Sequence, residues 1–254
     1  MRSALTIAGS DPTGGAGLQA DLKVFKVFEI HGLSVPTALT AQNTSGVEEI
    51  FPIERGVFAR QIAVLLADIK PDALKTGMLY SASAVKVVSE MMKEYSLRNL
   101  VVDPVTVSST GTSLVDDGTL DNIRDMLFPV TRIITPNIYE ASVFTGLNIE
   151  DEDDMKQAAI RLIDMGPEVV IITGGHLELS TLDLFYDGAD FHELGAFKIE
   201  GEYHGTGCAF SAAVAACLAL GNTPLESAQK AKEFVTEAIR HAYHLGKGLG
   251  LLYL

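Results

Sequence analysis

Positive charge is scarce in this sequence. The 254 residues hold 19 Lys plus Arg against 33 Asp plus Glu, a formal net charge of −14. That balance excludes a basic face able to hold nucleic acid. It favours a small-molecule partner, and any phosphate on that partner must be met by helix N-termini, a metal and a few local cations. Long apolar runs are also missing. The longest, Ala209 to Leu220, is 12 alanine-rich residues, short of the roughly 18 that cross a bilayer, so no membrane partner is expected. Met1-Arg2-Ser3 leads directly into a β-like segment with no apolar signal region. There are two cysteines, Cys208 and Cys217. On one helix they would stand about 13 Å apart on opposite faces, beyond disulfide reach. A reduced, cytoplasmic protein is the expectation.

What is present is core-forming. Hydrophobic residues make up 47% of the chain and charged residues 20%, a globular composition with no linker or repeat, which reads as one domain over 1–254. Short β-rich runs alternate with helical patterns. Strands are expected at 5–8, 34–42, 73–75, 100–102, 133–134 and 169–172. Helices are expected at 15–29, 56–68, 81–95, 117–127, 151–165, after 207 and at 225–244. Residues 181–200 read as a small β-meander with a turn at Asp187-Gly188. Apolar strands that do not alternate, each followed by a helix, predict an α/β fold with a mostly parallel central sheet covered by helices on both faces. Ligands of such sheets bind beyond the carboxyl ends of the strands. Polar and glycine-rich residues recur there: Gly9-Ser10-Asp11, Gln42-Asn43, Thr76-Gly77-Met78, Asp103-Pro104, Pro136-Asn137 and Thr173-Gly174-Gly175.

Four motifs carry chemistry. Gly9 to Gly17 is a glycine-rich strand-to-helix turn in which Gly15 stands where a Walker A loop needs Lys. It is either a tight turn or a pocket of backbone amides. Asp21 falls inside the apolar stripe Leu18, Leu22, Phe25 of the following helix. A carboxylate there needs a partner, either within the protein or on a substrate. Asn137-x-x-Glu140 fits a helix cap or a Mg²⁺ site held through waters. His204-Gly205-Thr206-Gly207-Cys208 opens an Ala-rich helix. Its first amides can hold a phosphoryl group in transit, and a helix N-terminus is expected to lower the Cys208 pKa. The acidic run 150–154 suits a helix first turn better than a metal. Lys247, between two glycines near the C-terminus, either belongs to a flexible end or reaches a phosphate.

These motifs, in order along nearly the whole chain, resemble the ribokinase-like superfamily. Within it the chain resembles the hydroxymethylpyrimidine/phosphomethylpyrimidine kinases of thiamine biosynthesis. The resemblance is carried by residues 5–11 and 14–23, Thr40-Ala41-Gln42-Asn43-Thr44, Lys75-Thr76-Gly77-Met78-Leu79, Asp103-Pro104-Val105, Thr135-Pro136-Asn137 with Glu140, Gly174-Gly175-His176, residues 204–208 and Gly246-Lys247-Gly248. It implies ATP-dependent phosphorylation of 4-amino-5-hydroxymethyl-2-methylpyrimidine and then of its monophosphate, by a homodimer. The resemblance assigns the pyrimidine to Gln42, Asp21, Gly9, Met78 and Val105. It assigns catalysis to Cys208, Gly205 and Gly207, ATP to Asn137, Thr173, Gly175, Thr206 and Lys247, and Mg²⁺ to Asp103 and Glu140. Cys208 stands where most ribokinase relatives carry an Asp base. Three places depart from the family pattern: Ser109 and Thr173 replace lysines, and Glu202-Tyr203 precedes the glycine motif. Rival readings are a pyridoxal/pyridoxine kinase and a non-catalytic pyrimidine or nucleotide sensor. A dinucleotide-binding oxidoreductase fits least, because no G-x-G-x-x-G with a later acidic residue occurs.

Overall fold

A computed structural model describes residues 1–108, 111–174, 181–196 and 199–254. In chain order the first half is β1 (Ser3–Ser10), α1 (Gly17–Val27), β2 (His31–Asn43), β3 (Gly46–Pro52), α2 (Arg55–Asp68), β4 (Ala73–Thr76), α3 (Ala82–Glu94), β5 (Leu100–Val102) and α4 (Thr119–Asn122). A π-helical turn (Ile123–Leu127) continues α4. There follow β6 (Ile133–Ile134), α5 (Ile138–Thr145), α6 (Glu152–Ile163), β7 (Val169–Gly174), β8 (Thr181–Tyr186), β9 (Phe191–Ala196), β10 (Tyr203–His204), α7 (Thr206–Ala219), α8 (Pro224–Arg240) and β11 (Gly250–Leu251).

Among the described residues one sheet runs in the order β3-β2-β1-β4-β5-β6-β7-β8-β9. Its centre, β2 to β7, is parallel; β3 and β8 run antiparallel to it, and β9 pairs antiparallel with β8. The expected meander is thus a hairpin, β8–β9, that extends the main sheet; residues 197 and 198 of that segment lie outside the described residues. The edge strand β3 was not foreseen. Its sequence, Gly46-Val47-Glu48-Glu49-Ile50-Phe51-Pro52, has two adjacent acids that break the period of two. It is held by pairing with β2, Leu39 opposite Phe51 and Ala41 opposite Glu49, so tertiary context outweighs propensity.

The alternation of side chains sorts the strands between two cores. Leu5, Ile7, Leu74, Leu100, Val102, Ile134, Val170 and Ile172 pack with α2, α3, α5 and α6, through Phe58, Ile62, Val85, Val88, Met92 and Leu162. Ala4, Ala73, Val101, Ile133, Val169 and Ile171 pack with α1, α7 and α8, through Val24, Phe25, Phe210, Val214 and Ala231. Helix α7 is buried from Ala209 to Ala219. Its alanines let sheet, α1 and α8 approach from all sides, which explains an apolar helix with no polar face. Caps match the sequence signals: Ser81 accepts from the Ala84 N–H, and Asp151 accepts from the Asp154 N–H, which makes the acidic run a cap.

The turn from β1 into α1 is built by Asp11. Its carboxylate accepts from the N–H groups of Thr13 (2.9 Å) and Ala16 (2.8 Å) and from the Thr13 hydroxyl (2.9 Å). This winds the chain back until Gly17, at φ +58°, touches the start of the turn. A Cβ on Gly17 would lie 2.3 Å from the Gly9 carbonyl oxygen. Gly17→Ala is therefore expected to destabilise the fold by about 1–3 kcal/mol. Urea denaturation reads this directly, and an unchanged midpoint and slope would refute the turn geometry.

Candidate active site

The carboxyl ends of β1, β4 and β5 lie against the first turns of α7, with β6 and β7 next in the sheet. Thr6 and Lys75 are register partners on β1 and β4, and alternation points both toward α1 and α7. There they meet Asp21 of α1. Lys75 Nζ donates to Asp21 Oδ1 (3.0 Å) and Oδ2 (2.9 Å), and the Thr6 hydroxyl donates to Asp21 Oδ2. Neither charged side chain has exposed surface. Asp21 is thus no pocket wall. The expectation that it lines the pyrimidine site is corrected: the carboxylate in the apolar stripe has a buried ammonium as partner, and that partner was missed in the sequence. Burial works against the Lys75 ammonium, but the Asp21 carboxylate above all, with Asp103 behind it, outweighs burial and keeps Lys75 protonated.

One strand further along, the Asp103 carboxylate accepts from the Ser211 hydroxyl of α7 (3.0 Å) and from the Cys208 thiol. Burial pushes Asp103 up, against Lys75 and Ser211. Beside it, Glu140 closes a capping box on α5. Its carboxylate accepts from the Asn137 N–H (3.0 Å), while the Asn137 side-chain oxygen accepts from the Glu140 N–H (2.9 Å). Glu140 also accepts from the Thr106 N–H (3.3 Å). Burial, then the Asp103 charge, push Glu140 up to about 8. Asn137 and Glu140 are therefore a helix cap, the plainer of the two readings of their spacing, and the cap aims Glu140 at Asp103. Thr173 is the bridge partner of Asn137, with its N–H on the Pro136 carbonyl (2.9 Å). Gly175, His176 and Ser109 lie outside the described residues.

Among the described residues no three His, Cys, Asp or Glu side chains form a metal cage. The donor set still suits a divalent cation that keeps waters and phosphate oxygens as its other ligands. Asp103 and Glu140 are two buried carboxylates pressed together, each with lone pairs left over. The Thr106 hydroxyl next to them is buried with no hydrogen-bond partner.

Helix α7 begins at Gly205, at φ +81°, with no side-chain cap. A Cβ on Gly205 would stand 1.9 Å from the Gly15 carbonyl oxygen, so this glycine brings the two glycine loops into contact. Gly207 differs: it is exposed, and a Cβ there would meet nothing within 4 Å. The uncapped amides of Thr206, Gly207 and Cys208 are open to an anion. The Cys208 thiol is half-buried and accepts from the Gly17 N–H. The expected lowering of its pKa is corrected. Burial pushes the thiol up to about 12, Asp103 and Asp21 push the same way, and Lys75 and the Gly17 N–H do not offset them.

A second group lies on the β2 side. Met78 seats against Gly9, where a Cβ would meet Met78 Cε at 2.4 Å. Met78 shares a small apolar cluster with Ala38, Leu114, Val105 and Tyr80. Gln42 is half-buried and contacts His204, whose ring lies on Asp11. Gly9, Met78 and Val105 thus share one cluster, and Gln42 is tied to His204, the residue before Gly205 at the head of α7. Lys247 makes no hydrogen bond or ion pair with Asn137 or Thr173 among the described residues. It is exposed in a separate cleft of about 540 Å³ with Thr44, Ser45, Glu202 and His244, because Gly246 and Gly248 pack on Thr44.

Two measurements follow from these charges. Glu140 holds a proton in the fold between its ordinary value of 4.5 and about 8, where the unfolded chain has lost it. The folded state then binds more protons, so this group's contribution to stability falls as pH rises through that window. Denaturation of the metal-free chain from pH 5 to 8 should show this slope, and Glu140→Gln should flatten it; an identical slope in both would refute the buried pair. For Cys208, iodoacetamide labelling should be slow at pH 7 and rise about tenfold per pH unit through pH 10. A plateau near pH 7 would mean a thiolate stabilised by the helix.

A family model described as phosphomethylpyrimidine kinase matches residues 11–252. Among curated relatives, the thiamine biosynthesis bifunctional protein ThiED of Geobacter sulfurreducens is 44% identical over 250 residues, covering 98% of this chain and 51% of that protein. The chain thus spans about half the length of that relative. The hydroxymethylpyrimidine/phosphomethylpyrimidine kinase of Bacillus subtilis is 41% identical over 250 residues, covering 97% of this chain and 92% of that one. Among solved structures, an ADP complex of Bacillus subtilis pyridoxal kinase superposes with a TM-score of 0.92 at 38% identity, covering 99% of this chain and 96% of that one. With the family model spanning nearly the whole sequence, and the parallel sheet, the glycine turn and the open α7 N-terminus in place, the chain belongs to the phosphomethylpyrimidine kinase family.

Proposed function

We propose that this chain transfers the γ-phosphoryl group of ATP to 4-amino-5-hydroxymethyl-2-methylpyrimidine, and then to the monophosphate so formed, in thiamine biosynthesis. The observation that carries this reading is the uncapped N-terminus of α7 flanked by two unlike groups. On one side stand Asp103, Glu140, Asn137 and Thr173; on the other stand Gln42, Met78, Gly9 and Val105. A phosphoryl group crossing between nucleotide and alcohol passes over the amides of 206–208. Those donors stabilise the charge that a loose transition state spreads over the phosphoryl oxygens.

The residues take distinct parts. Gln42 has both donor and acceptor capacity, which suits an aminopyrimidine edge. Met78 and Val105 supply apolar contact to the ring. Asn137, Thr173 and Thr206 face the nucleotide phosphates. Asp103 and Glu140 would hold Mg²⁺, which supplies charge neutralisation between phosphate oxygens. Cys208 enters as a thiol and positions the acceptor hydroxyl. Early proton removal contributes little in a loose transition state, so a protonated thiol is compatible with the role. The high similarity to a pyridoxal kinase structure favours pyridoxine as a second acceptor to test.

Mass spectrometry of products from ATP with the hydroxymethylpyrimidine, its monophosphate or pyridoxine tests the reading. Mono- and diphosphate of the pyrimidine are expected, with no turnover in EDTA and recovery on adding Mg²⁺. Phosphorylation of pyridoxine alone would transfer the assignment to the rival. Gln42→Ala should weaken the pyrimidine acceptor by about 1–3 kcal/mol and leave ATP binding alone. Unchanged acceptor affinity would remove Gln42 from the pocket.

A further inference from the structure

Gln42 is held in a chain of groups whose proton count leaves one arrangement. His204 Nε2 lies 2.8 Å from Asp11 Oδ2 and 3.2 Å from the nitrogen of the Gln42 amide. On the far side, the amide oxygen lies 3.2 Å from Thr40 Oγ1, which itself lies 2.8 Å from the Ser10 carbonyl oxygen. Burial works against the Asp11 charge, but His204 and the Thr13 bonds outweigh it and hold Asp11 below the usual carboxylate range. An ionised carboxylate only accepts, so His204 Nε2 carries a proton. A ring protonated at Nδ1 alone would set two lone pairs against each other in a nearly buried contact.

Thr40 has one hydroxyl proton, and the Ser10 carbonyl, which can only accept, stands at 2.8 Å against 3.2 Å for Gln42 and takes it. Thr40 Oγ1 then presents a lone pair to Gln42. With its nitrogen toward His204 and its oxygen toward Thr40, the amide would set donor against donor on one side and acceptor against acceptor on the other. A half-turn of the amide, which its nearly equal ends allow, satisfies both contacts. His204 Nε2–H then donates to the Gln42 oxygen as well as to Asp11, and the Gln42 NH₂ donates to Thr40.

We propose that Asp11, His204 and Thr40 are positioning residues that lock the Gln42 amide with its oxygen on the His204 side and its NH₂ on the Thr40 side, and that this polarity selects an acceptor ring bearing an amino group next to a ring nitrogen. The ring amino group donates to the remaining lone pair of the Gln42 oxygen, and the ring nitrogen accepts the remaining amide N–H. An amide free to turn would pair equally with the reversed pattern; the locked one does not. Only the identity of the ring rests on the kinase reading above.

The tautomer tests the donor on which the lock depends. Long-range proton–nitrogen correlation on the full chain labelled at histidine, with His204 assigned by its loss in His204→Gln, should show Nε2 protonated. A bare Nε2 would overturn the proposal. The second arm is Thr40→Val, which removes the lone pair that receives the amide NH₂. The ratio of kcat/KM for the aminopyrimidine alcohol over its analogue without the amino group should fall about tenfold, with the KM for ATP unchanged and the ratio kept in Thr40→Ser. An unchanged ratio in Thr40→Val would overturn the selectivity claim. Should the wild-type chain phosphorylate neither alcohol, the kinase reading fails and the selectivity claim with it, while a bare Nε2 would still overturn the lock itself.

Discussion

Beneath the α7 N-terminus, two side chains with no exposed surface hold the site together. Lys75 at the end of β4 and Asp21 in α1 form an ion pair that the Thr6 hydroxyl completes from β1. Sheet and helix are joined there by charge, inside an otherwise apolar core. Isolated, either charge would be too costly to bury; paired, they fix where α1 crosses the sheet. The same ammonium acts on Asp103 and Cys208. Its charge offsets part of the cost of burying the Asp21 and Asp103 carboxylates close together. The glycine contacts complete the arrangement, since Gly17 on Gly9 and Gly205 on Gly15 seat the β1 turn against α7.

The thiol at the head of α7 shows two local effects in competition. A helix N-terminus favours an anion through its free amides, and that rule leads to a low pKa for Cys208. Here burial of the sulfur, with Asp103 and Asp21 beside it, acts the other way and prevails. The amides are left for the phosphoryl group, which brings its own charge, while the cysteine stays neutral. Catalysis in this reading depends on where the amides and carboxylates stand more than on a strong base.

The parallel sheet and the positions of most strands and helices were legible, because apolar strands covered on both faces and capped helices leave patterns of short range. Asn137 and Glu140 were legible as a cap for the same reason. Asp21 was flagged by its place in an apolar stripe, yet its partner was not, although a lysine in the buried strand Ala73-Leu74-Lys75 carried the complementary signal. Pairing the two needs the β1–β4 register, which no local pattern encodes. Asp11 and His204 lie 193 residues apart in the chain, and their contact depends on the glycine loops meeting. The surroundings of Lys247 were not legible, because they are set by the packing of Gly246 and Gly248 on Thr44, about 200 residues earlier in the chain. The edge strand β3 lacks a pattern of its own and exists through β2.

The pair at the base of the site also offers the most direct test of whether its charge or merely its volume matters. Lys75→Met alone leaves the buried Asp21 carboxylate with the Thr6 hydroxyl but no countercharge and should cost about 3–5 kcal/mol. Lys75→Met combined with Asp21→Leu replaces both charges by apolar groups and should recover that stability. Turnover of the refolded double variant is the deciding measurement. The account predicts a stable protein whose kcat stays well below wild type, because the ammonium that faces Asp103 and Cys208 is gone. A double variant with both stability and kcat restored would contradict it and reduce the pair to packing.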